Sequence, residues 1–426
     1  MPTMKNARSI LGMVCLAALA ILPAGCLKED NPGDYRPEHT LIFCGMGFNN
    51  ISSSISGNVS EMLEGSYIPT VRSRKGLIFI THFRDGSYSD RTPVDIVRVY
   101  KSRRGETIMD TLKSITGVDV LTDPAVLGEA LRYAMKAVPS DSYGFIFSSH
   151  GTGWLPKGYY STHGSPIFSG SPCNGTNTFS NMPGPPVKSL GNEFAGSESN
   201  QIELDLPEFV GSVPMHADYM ILDMCLMGGV EVAYEFKDLT DMLIISPTEI
   251  LAGGMSYDNM ARNLLAGNTP DLRAVCSEYY SKYADDDSYA TVSLIDCAKL
   301  DALASVCRDL FGTYRQQIAD VNQASIQRFF RKDESGRYKH WFYDLQDIMV
   351  KAGISPADSA RLDAALRAAV PYKAATGKFL PNKGGFSINT CCGLSMYLPK
   401  MGDNFLDSFY DTLDWNGATG LVNLEK

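Results

Sequence analysis

The sequence predicts an α/β fold, in which layers of helices cover a mostly parallel sheet on both faces. Six short apolar runs recur between Thr40 and Asp296, and continuous runs of this kind are typical of strands buried on both sides. Several of the stretches between them space their apolar residues at three and four, as amphipathic helices do. Strands that alternate with helices in this way indicate an α/β architecture.

The predicted elements follow one another along the chain. Two segments with helical periodicity, Pro124–Val138 and Leu206–Pro214, precede the third and fourth strands. We therefore expect strand, helix, strand units. The six predicted strands are Thr40–Gly47, Gly76–Phe83, Tyr143–His150, Asp218–Cys225, Asp241–Pro247 and Tyr289–Asp296.

The rest of the chain divides into a long loop and a C-terminal part. Residues 154–200 are dense in Gly, Ser, Pro and Asn, and a connection this long without periodicity is usually functional or disordered. After Asp296 the pattern is mainly helical, and a strand-like stretch at Gly393–Pro399 is expected to return to the sheet. We predict a domain over residues 39–296 and a helical subdomain over 297–426.

The first 25 residues are typical of an export signal. Lys5 and Arg8 supply a positive region, and the apolar stretch Ile10–Leu22 is short for a membrane span. The stretch ends in LPAGC, which resembles the lipobox of bacterial lipoproteins, although Pro23 replaces the usual Leu. The resemblance implies that Cys26 is lipidated and anchors the mature chain in a membrane. The alternative is an ordinary signal peptide cleaved near Gly25.

The residues that follow Cys26 are expected to form a flexible tether over 26–38, because they are polar and contain proline. The short stretch Lys28-Glu29-Asp30 resembles a tag that sends lipoproteins of some Gram-negative anaerobes to the cell surface. We therefore predict an extracytoplasmic lipoprotein at the outer membrane or the cell surface.

Charge and metal-ligand spacing exclude some function classes. The chain carries 48 acidic and 38 basic residues, a balance that disfavours nucleic acid as a partner and mildly favours basic substrates. The cysteines show no regular spacing of a disulfide framework or a zinc ribbon. Five histidines show no metal-ligand spacing, so no metal site is expected: His39, His82, His163, His216 and His340.

One pair of strand ends carries candidate chemistry. His150 and Cys225 stand at the ends of the third and fourth predicted strands, where ligands bind in open α/β sheets. A thiol needs help to ionise at neutral pH, and a neighbouring imidazole provides it. Cys225 would be the nucleophile and His150 its base. The amides of Gly151 and Cys225 are the candidates for an oxyanion hole.

These motifs resemble those of the clostripain family of cysteine peptidases, relatives of caspases and gingipains. HGTGW at His150 and DMCLMGGVEVAYE at Asp223 carry the resemblance, and ELDLPEFV and GLSMYLP support it. It extends from about Thr40 to the C-terminus. The resemblance implies a caspase-like α/β/α sandwich, a His150/Cys225 dyad and an endopeptidase that cleaves polypeptides after Arg or Lys. No cofactor is implied except the calcium that some relatives use, and no acidic loop with metal-binding spacing supports it.

The resemblance also implies roles for further residues. Asp223, two residues before the nucleophile, would line the primary specificity pocket and pair with the substrate's cation. Family members often cut themselves between the His and the Cys, and of Lys157 and Lys188 the latter is more loop-like. We expect a monomer that processes itself after Lys188.

The sequence departs from the family after the fifth strand. It reads SPTEILAGGMSYD where the family usually has a Ser-Gln-Glu-like stretch and a loop with tryptophan. Glu249 is the residue placed to preserve that acid. The departure therefore falls on the predicted specificity pocket.

Other interpretations of these residues stay open. Asp223 could cap a helix, Cys225 could be a buried structural thiol, and His150 could bond only to backbone. The chain could bind a polypeptide or a glycan on a caspase-like scaffold without cutting it. The same dyad could also perform amide ligation or thioester hydrolysis.

Overall fold

A computed structural model describes residues 36–65, 67–159, 190–197, 199–284, 289–331, 339–399 and 404–422. Several predictions lie outside these residues. They are the export signal over 1–25, the lipidation at Cys26, the tag at Lys28-Glu29-Asp30 and the self-processing at Lys188.

The strands are numbered here in chain order. They are β1 His39–Gly47, β2 Lys75–Phe83, β3 Val94–Lys101, β4 Thr107–Ile115, β5 Ser142–Ser148, β6 Leu190–Phe194, β7 Gln201–Leu204, β8 Ala217–Asp223, β9 Thr240–Ile245, β10 Thr291–Asp296, β11 Tyr343–Asp344, β12 Tyr372–Ala375, β13 Lys378–Phe379, β14 Phe386–Ser387 and β15 Ser395–Met396.

The helices have these bounds: α1 Ser52–Glu64, α2 Pro124–Ala137, α3 Leu206–Ser212, α4 Val230–Phe236, α5 Met260–Leu265, α6 Leu272–Ala284, α7 Leu300–Thr313, α8 Arg315–Asp320, α9 Leu345–Lys351, α10 Pro356–Ala369, α11 Asn404–Tyr410 and α12 Asp414–Thr419. Short 3-10 turns span Cys297–Lys299 and Gln323–Ser325.

Nine strands form the central sheet, in the order β12-β10-β9-β8-β5-β1-β2-β3-β4. The five strands from β9 to β2 in this order pair in parallel. The strands on either side of them pair antiparallel. The predicted α/β fold with a mostly parallel sheet is confirmed, and every residue of β1 is buried, as expected of a strand covered on both faces.

Local signals explain where the helices begin. Asp123 caps α2, because its carboxylate accepts hydrogen bonds from the amides of Ala125 and Val126. Asp205 and Glu208 form a reciprocal capping box at the start of α3. These two helices lead into the strand ends that carry His150 and Cys225.

The structure differs from the prediction at the sheet edges. The antiparallel pair β3 and β4, which the sequence analysis did not identify, extends one edge. The strand that the C-terminal part adds to the sheet is β12. The stretch Gly393–Pro399 instead forms β15, which pairs with β11 in a separate two-stranded sheet. Its backbone binds the loop that follows β8, since the Ser395 amide donates to the Gly228 carbonyl at 2.8 Å.

The order of the parallel strands creates a crevice. The chain passes from β1 to β2 on one side and then returns to lay down β5, β8 and β9 on the other. Loops diverge at such a reversal, and the carboxyl ends of β1 and β5 therefore border the opening where open α/β proteins bind ligands.

Candidate functional site

The strand ends that carry His150 and Cys225 are neighbours in the sheet. Strands β5 and β8 pair in parallel, with Ser148 opposite Asp223. His150 lies two residues after Ser148, and Cys225 lies two residues after Asp223. Both therefore lie beyond the carboxyl ends of adjacent parallel strands. Neighbouring strands lie about 4.8 Å apart, which brings the two loops together. Both strands end two residues earlier than predicted, and so both residues belong to loops.

The two loops contact each other through glycines. A Cβ atom placed on Gly151 would lie 2.8 Å from the carbonyl oxygen of Cys225, and one on Gly153 would lie 2.6 Å from that of Leu226. A side chain at either position would force the loops apart. The glycines of the HGTGW motif therefore allow the histidine loop to pack directly on the cysteine loop.

The His150 ring is buried, with 4% of the residue exposed. Its Nε2 lies 2.7 Å from Oδ1 of Asn50, in the loop after β1. The carbonyl of the same histidine accepts a hydrogen bond from the Gly191 amide at 2.9 Å. Residues from two separate segments thus hold the histidine and its loop in place.

The turn at Cys225 has an unusual backbone. Leu226 has a φ of 61°, in the left-handed region, which costs a residue with a side chain on the order of 1 kcal/mol or more. The Leu226 amide donates to the Thr248 carbonyl at 2.9 Å. The Cys225 Sγ lies 3.4 Å from the Ile250 nitrogen and 3.5 Å from its carbonyl oxygen. The loop after β9 therefore supports both the strained turn and the sulfur.

The surroundings of the Cys225 thiol favour its protonated form. Burial, and to a lesser extent the nearby Glu249 carboxylate, raise the pKa of Cys225 to about 12, although the Ile250 amide and Arg331 act in the opposite direction. Burial raises the pKa of other cysteines in the same way. Position at a strand end, and partial exposure of the side chain, distinguish Cys225 from the buried Cys44 and Cys307. A base must take the proton when the sulfur reacts.

Two backbone amides beside the thiol are available as donors. Within the part of the chain that the structure describes, the Gly151 and Cys225 amides donate to no other protein group. Both belong to the two loops in contact. They are suited to bind a negative oxygen that develops on a carbonyl attacked by Cys225.

The Asp223 carboxylate lies at the end of β8, and 5% of the residue is exposed. Its Oδ2 accepts hydrogen bonds from the Tyr257 hydroxyl at 2.7 Å and the Ser148 hydroxyl at 3.2 Å. Its buried Oδ1 has no hydrogen-bond partner among the described residues. Burial raises the pKa of Asp223, while the two hydroxyls, Lys282 and the Met255 amide lower it. One oxygen of a buried acid is thus left for a further donor.

A tightly held loop closes over this acid. Gly254 has a φ of +59°, and a Cβ atom there would lie 3.1 Å from the Asp223 Oδ2. The Lys282 ammonium donates to the Gly253 and Met255 carbonyls at 2.8 and 2.9 Å. The Tyr283 hydroxyl donates to the Gly254 carbonyl. Helix α6 therefore fixes the loop that borders Asp223.

Glu249 is engaged by a basic residue of the chain itself. Arg331 Nε lies 2.9 Å from the Glu249 carboxylate, and both side chains are largely buried. Burial raises the pKa of Glu249, and the guanidinium lowers it. The pair lies close enough to Cys225 to influence its pKa. In this arrangement the carboxylate of Glu249 serves an internal ion pair.

Sequence reasoning missed a buried cluster under the two loops. The Trp154 ring of HGTGW lies 4.8 Å from the Tyr397 ring and 5.0 Å from the Tyr410 ring, between centroids. The buried Glu231 accepts from the Tyr397 amide and the Tyr410 hydroxyl, both at 2.8 Å. The quoted motifs HGTGW, GGVEVAYE and GLSMYLP were the available signal, because each contributes one member of this cluster.

The described residues contain neither a cluster of metal ligands nor a membrane-spanning helix. Among the residues that the structure describes, no group of three or more His, Cys, Asp or Glu side chains could hold a metal ion. None of the described helices is long and apolar enough to cross a bilayer.

Comparisons with known proteins agree with the sequence resemblance. A model of the clostripain family, Peptidase C11, matches residues 195–405. The chain is similar to an inactive zymogen of a C11 protease from Parabacteroides distasonis, with 22% identity, a TM-score of 0.72 and coverage of 90% of this chain and 99% of that one. A search of curated proteins found no relative.

A second solved structure is similar over the same extent. It is a secreted C11 cysteine protease from Bacteroides thetaiotaomicron in complex with an irreversible peptide inhibitor, with 21% identity, a TM-score of 0.69 and coverage of 90% and 99%. At these identities the likeness establishes the fold, which is that of the caspase-like C11 proteases.

The fold and the paired loops define a caspase-like α/β protein with a thiol beyond the carboxyl ends of its parallel strands. The family match makes the assignment specific. The chain belongs to the clostripain family and is a cysteine peptidase.

Proposed function

We propose that this peptidase cleaves polypeptides after Arg or Lys, with Cys225 as nucleophile and His150 as general base. The observation that supports it best is the contact between the loops that follow β5 and β8, with the Gly151 backbone against that of Cys225. Adjacent strand ends in register can bring the imidazole and the thiol within reach of one proton.

The reaction follows from these positions. The Cys225 sulfur attacks the carbonyl carbon of the scissile bond, and its proton passes to His150. The amides of Gly151 and Cys225 bind the resulting oxyanion. His150 then gives the proton to the leaving amine, which departs and leaves a thioester. Water, activated by the same imidazole, hydrolyses the thioester and restores the thiol.

Asp223 is proposed to select the basic side chain. Its buried Oδ1 lacks a hydrogen-bond partner among the described residues, so a guanidinium or ammonium group would satisfy it. A charge-assisted hydrogen bond to a buried carboxylate strongly favours a cation over a neutral side chain. The alternative for Asp223 is a structural role, in which it contributes only by accepting the bonds from Tyr257, Ser148 and Asn58.

Glu249 stays in the proposal as a second acid of the specificity region. It lies close enough to act on the Cys225 thiol, but its carboxylate bonds to Arg331. A substrate cation would therefore have to compete with an internal guanidinium. We expect Glu249 to contribute less to selection than Asp223 does.

The proposal includes export and maturation. Lipidation at Cys26 would anchor the enzyme outside the cytoplasm, and cleavage after Lys188 would mature it. If Cys225 acts on its own chain, purified mature protein should contain two fragments, produced by cleavage after Lys188. Lys188→Ala and Cys225→Ala should each leave the chain intact, and mass spectrometry distinguishes these forms. A cut after Lys188 that persists in Cys225→Ala would assign it to another protease.

The experiment that tests the function uses fluorogenic peptides that end in Arg, Lys, Asn or Asp. We expect turnover of the Arg and Lys peptides by the parent protein and none by Cys225→Ala or His150→Ala. Cys307→Ala is a matched control, because that buried thiol lies away from the strand ends in helix α7. Turnover that survives Cys225→Ala would rule out Cys225 as the nucleophile. A preference for Asn or Asp would overturn the role given to Asp223.

A further inference from the structure

The loop after β1 brings an asparagine to the candidate base. Asn50 lies three residues beyond the end of β1, and its Oδ1 is 2.7 Å from His150 Nε2. The two residues are 100 positions apart in sequence. They meet at the crevice between β1 and β5, where the strand order reverses.

We infer that Asn50 is a positioning residue that fixes the tautomer and orientation of the His150 ring for proton transfer from Cys225. This inference rests on the proposed function. The amide oxygen of Asn50 accepts hydrogen bonds and cannot donate one. The bonded Nε2 therefore carries the hydrogen, and the lone pair lies on Nδ1.

The strand order gives the ring its direction. Strand β5 lies between β1 on one side and β8 on the other. Asn50 follows β1 and holds Nε2 on that side, whereas Cys225 follows β8. Nδ1 is then the nitrogen that takes the thiol proton. As the imidazolium forms, the bond from Nε2–H to Asn50 becomes charge-assisted and strengthens.

The loop that carries Asn50 is firmly anchored. The neighbouring Asn49 is fully buried, and its Nδ2 donates to the Met46 carbonyl at 3.1 Å and to the Asn192 carbonyl at 2.7 Å. Its Oδ1 accepts from the Ile51 amide at 3.0 Å. These bonds fix the backbone on both sides of Asn50, so its side chain is presented from a defined position.

A buried carboxylate completes this support. Glu193 is fully buried, and its Oε1 accepts from the Phe48 amide at 3.0 Å and from His82 Nδ1 at 2.9 Å. Its Oε2 accepts from the Thr122 amide at 2.9 Å and from the Leu121 amide. Strand β6, which contains Glu193, also donates from Gly191 to the His150 carbonyl. One strand therefore secures both partners of the Asn50–His150 bond.

The first test separates hydrogen bonding from shape. Asn50→Leu keeps the size of the side chain and removes the acceptor, while Asn50→Asp keeps an acceptor oxygen. Asn50 is exposed, so both variants should fold. For an Arg peptide we expect kcat to fall about tenfold in Asn50→Leu with KM nearly unchanged, as the loss of one strengthened hydrogen bond implies. Asn50→Asp should recover most of the lost kcat.

A matched control checks that an Asn to Leu change is harmless elsewhere. Asn268 is exposed, and its carbonyl accepts a hydrogen bond from Lys75 at the start of β2. This is the amino end of the parallel strands, whereas His150 lies beyond their carboxyl ends. Asn268→Leu should leave kcat and KM at parent values. A kcat for Asn50→Leu within twofold of the parent would overturn the inference. Equal losses in Asn50→Leu and Asn50→Asp would do so as well.

The second test does not depend on turnover. The Cys225→Ala protein is labelled with nitrogen-15 histidine and studied by NMR. The signal that disappears in His150→Gln belongs to His150, and it should be that of a ring with its hydrogen on Nε2. Adding Asn50→Leu should shift that ring toward a mixture of tautomers. An unchanged His150 signal would refute the inference, whether or not the parent cleaves peptides. If the tautomer shift is observed but the parent shows no Cys225-dependent turnover, the proposed function alone would be refuted.

Discussion

Asp223→Asn removes the charge of the buried acid while nearly preserving its shape. The asparagine oxygen can still accept from Tyr257 and Ser148, which now bond to Oδ2. The amide group would then occupy the position of Oδ1, which has no hydrogen-bond partner among the described residues. We therefore expect the variant to fold and to lose the attraction for a substrate cation.

The expected magnitude follows from one charge-assisted bond. Such a bond contributes about 1.5 to 3 kcal/mol, and each 1.4 kcal/mol is about a factor of ten, so kcat/KM for an Arg peptide should fall about 10- to 150-fold. A citrulline peptide has nearly the same shape without the charge. Its kcat/KM should change little, and the parent's preference for Arg over citrulline should largely disappear.

The assay compares kcat/KM for Arg and citrulline peptides with the same leaving group. Ser148→Ala is the control, because it removes a donor to Asp223 at 3.2 Å and leaves the carboxylate in place. Its preference for Arg should stay close to that of the parent. If Asp223→Asn lowers kcat/KM equally for both peptides, the acid has a structural role, and the proposed selection of basic residues would be refuted.

Two further predictions concern the loops and the cluster below them. Gly151→Ala should lower kcat on the order of 100-fold, because its Cβ atom would lie 2.8 Å from both the Cys225 oxygen and the Met224 Cβ atom. Gly57→Ala, with open space around its Cβ atom in helix α1, should keep full activity and raise Tm slightly; equal activity in both variants would contradict the packing argument. Burial raises the pKa of Glu231 to about 7, so the folded chain binds this proton more tightly than the unfolded chain does. The free energy of unfolding should therefore fall as pH rises from about 4.5 to about 7, by roughly 3 kcal/mol from this group. Glu231→Gln should reduce that slope in urea titrations at pH 5 to 8, and an unchanged slope would show that Glu231 does not titrate there.

Much of the fold could be predicted from local sequence. The apolar runs located six strands of the central sheet to within two residues at each end, since a strand buried on both faces must be apolar throughout. The pair β3 and β4 was not predicted, because edge strands expose part of their surface and lack such a run, as the exposed residues of β4 illustrate. The return of β12 to the sheet, in place of Gly393–Pro399, depends on pairing between distant segments.

The candidate site also combines features that local sequence predicts with features that depend on the tertiary structure. The sequence alone determined that His150, Gly151, Asp223 and Cys225 lie at the end of a buried strand or within three residues beyond it, because strand ends and turn glycines are local features. Only the tertiary structure decided that β5 and β8 are neighbours with their ends in register.

The partners of these residues also depend on the tertiary structure. The contact between Arg331 and Glu249 joins residues 82 positions apart, and that between Asn50 and His150 joins residues 100 apart. No local pattern encodes such contacts, because each forms only after the sheet has assembled and brought its loops to one edge.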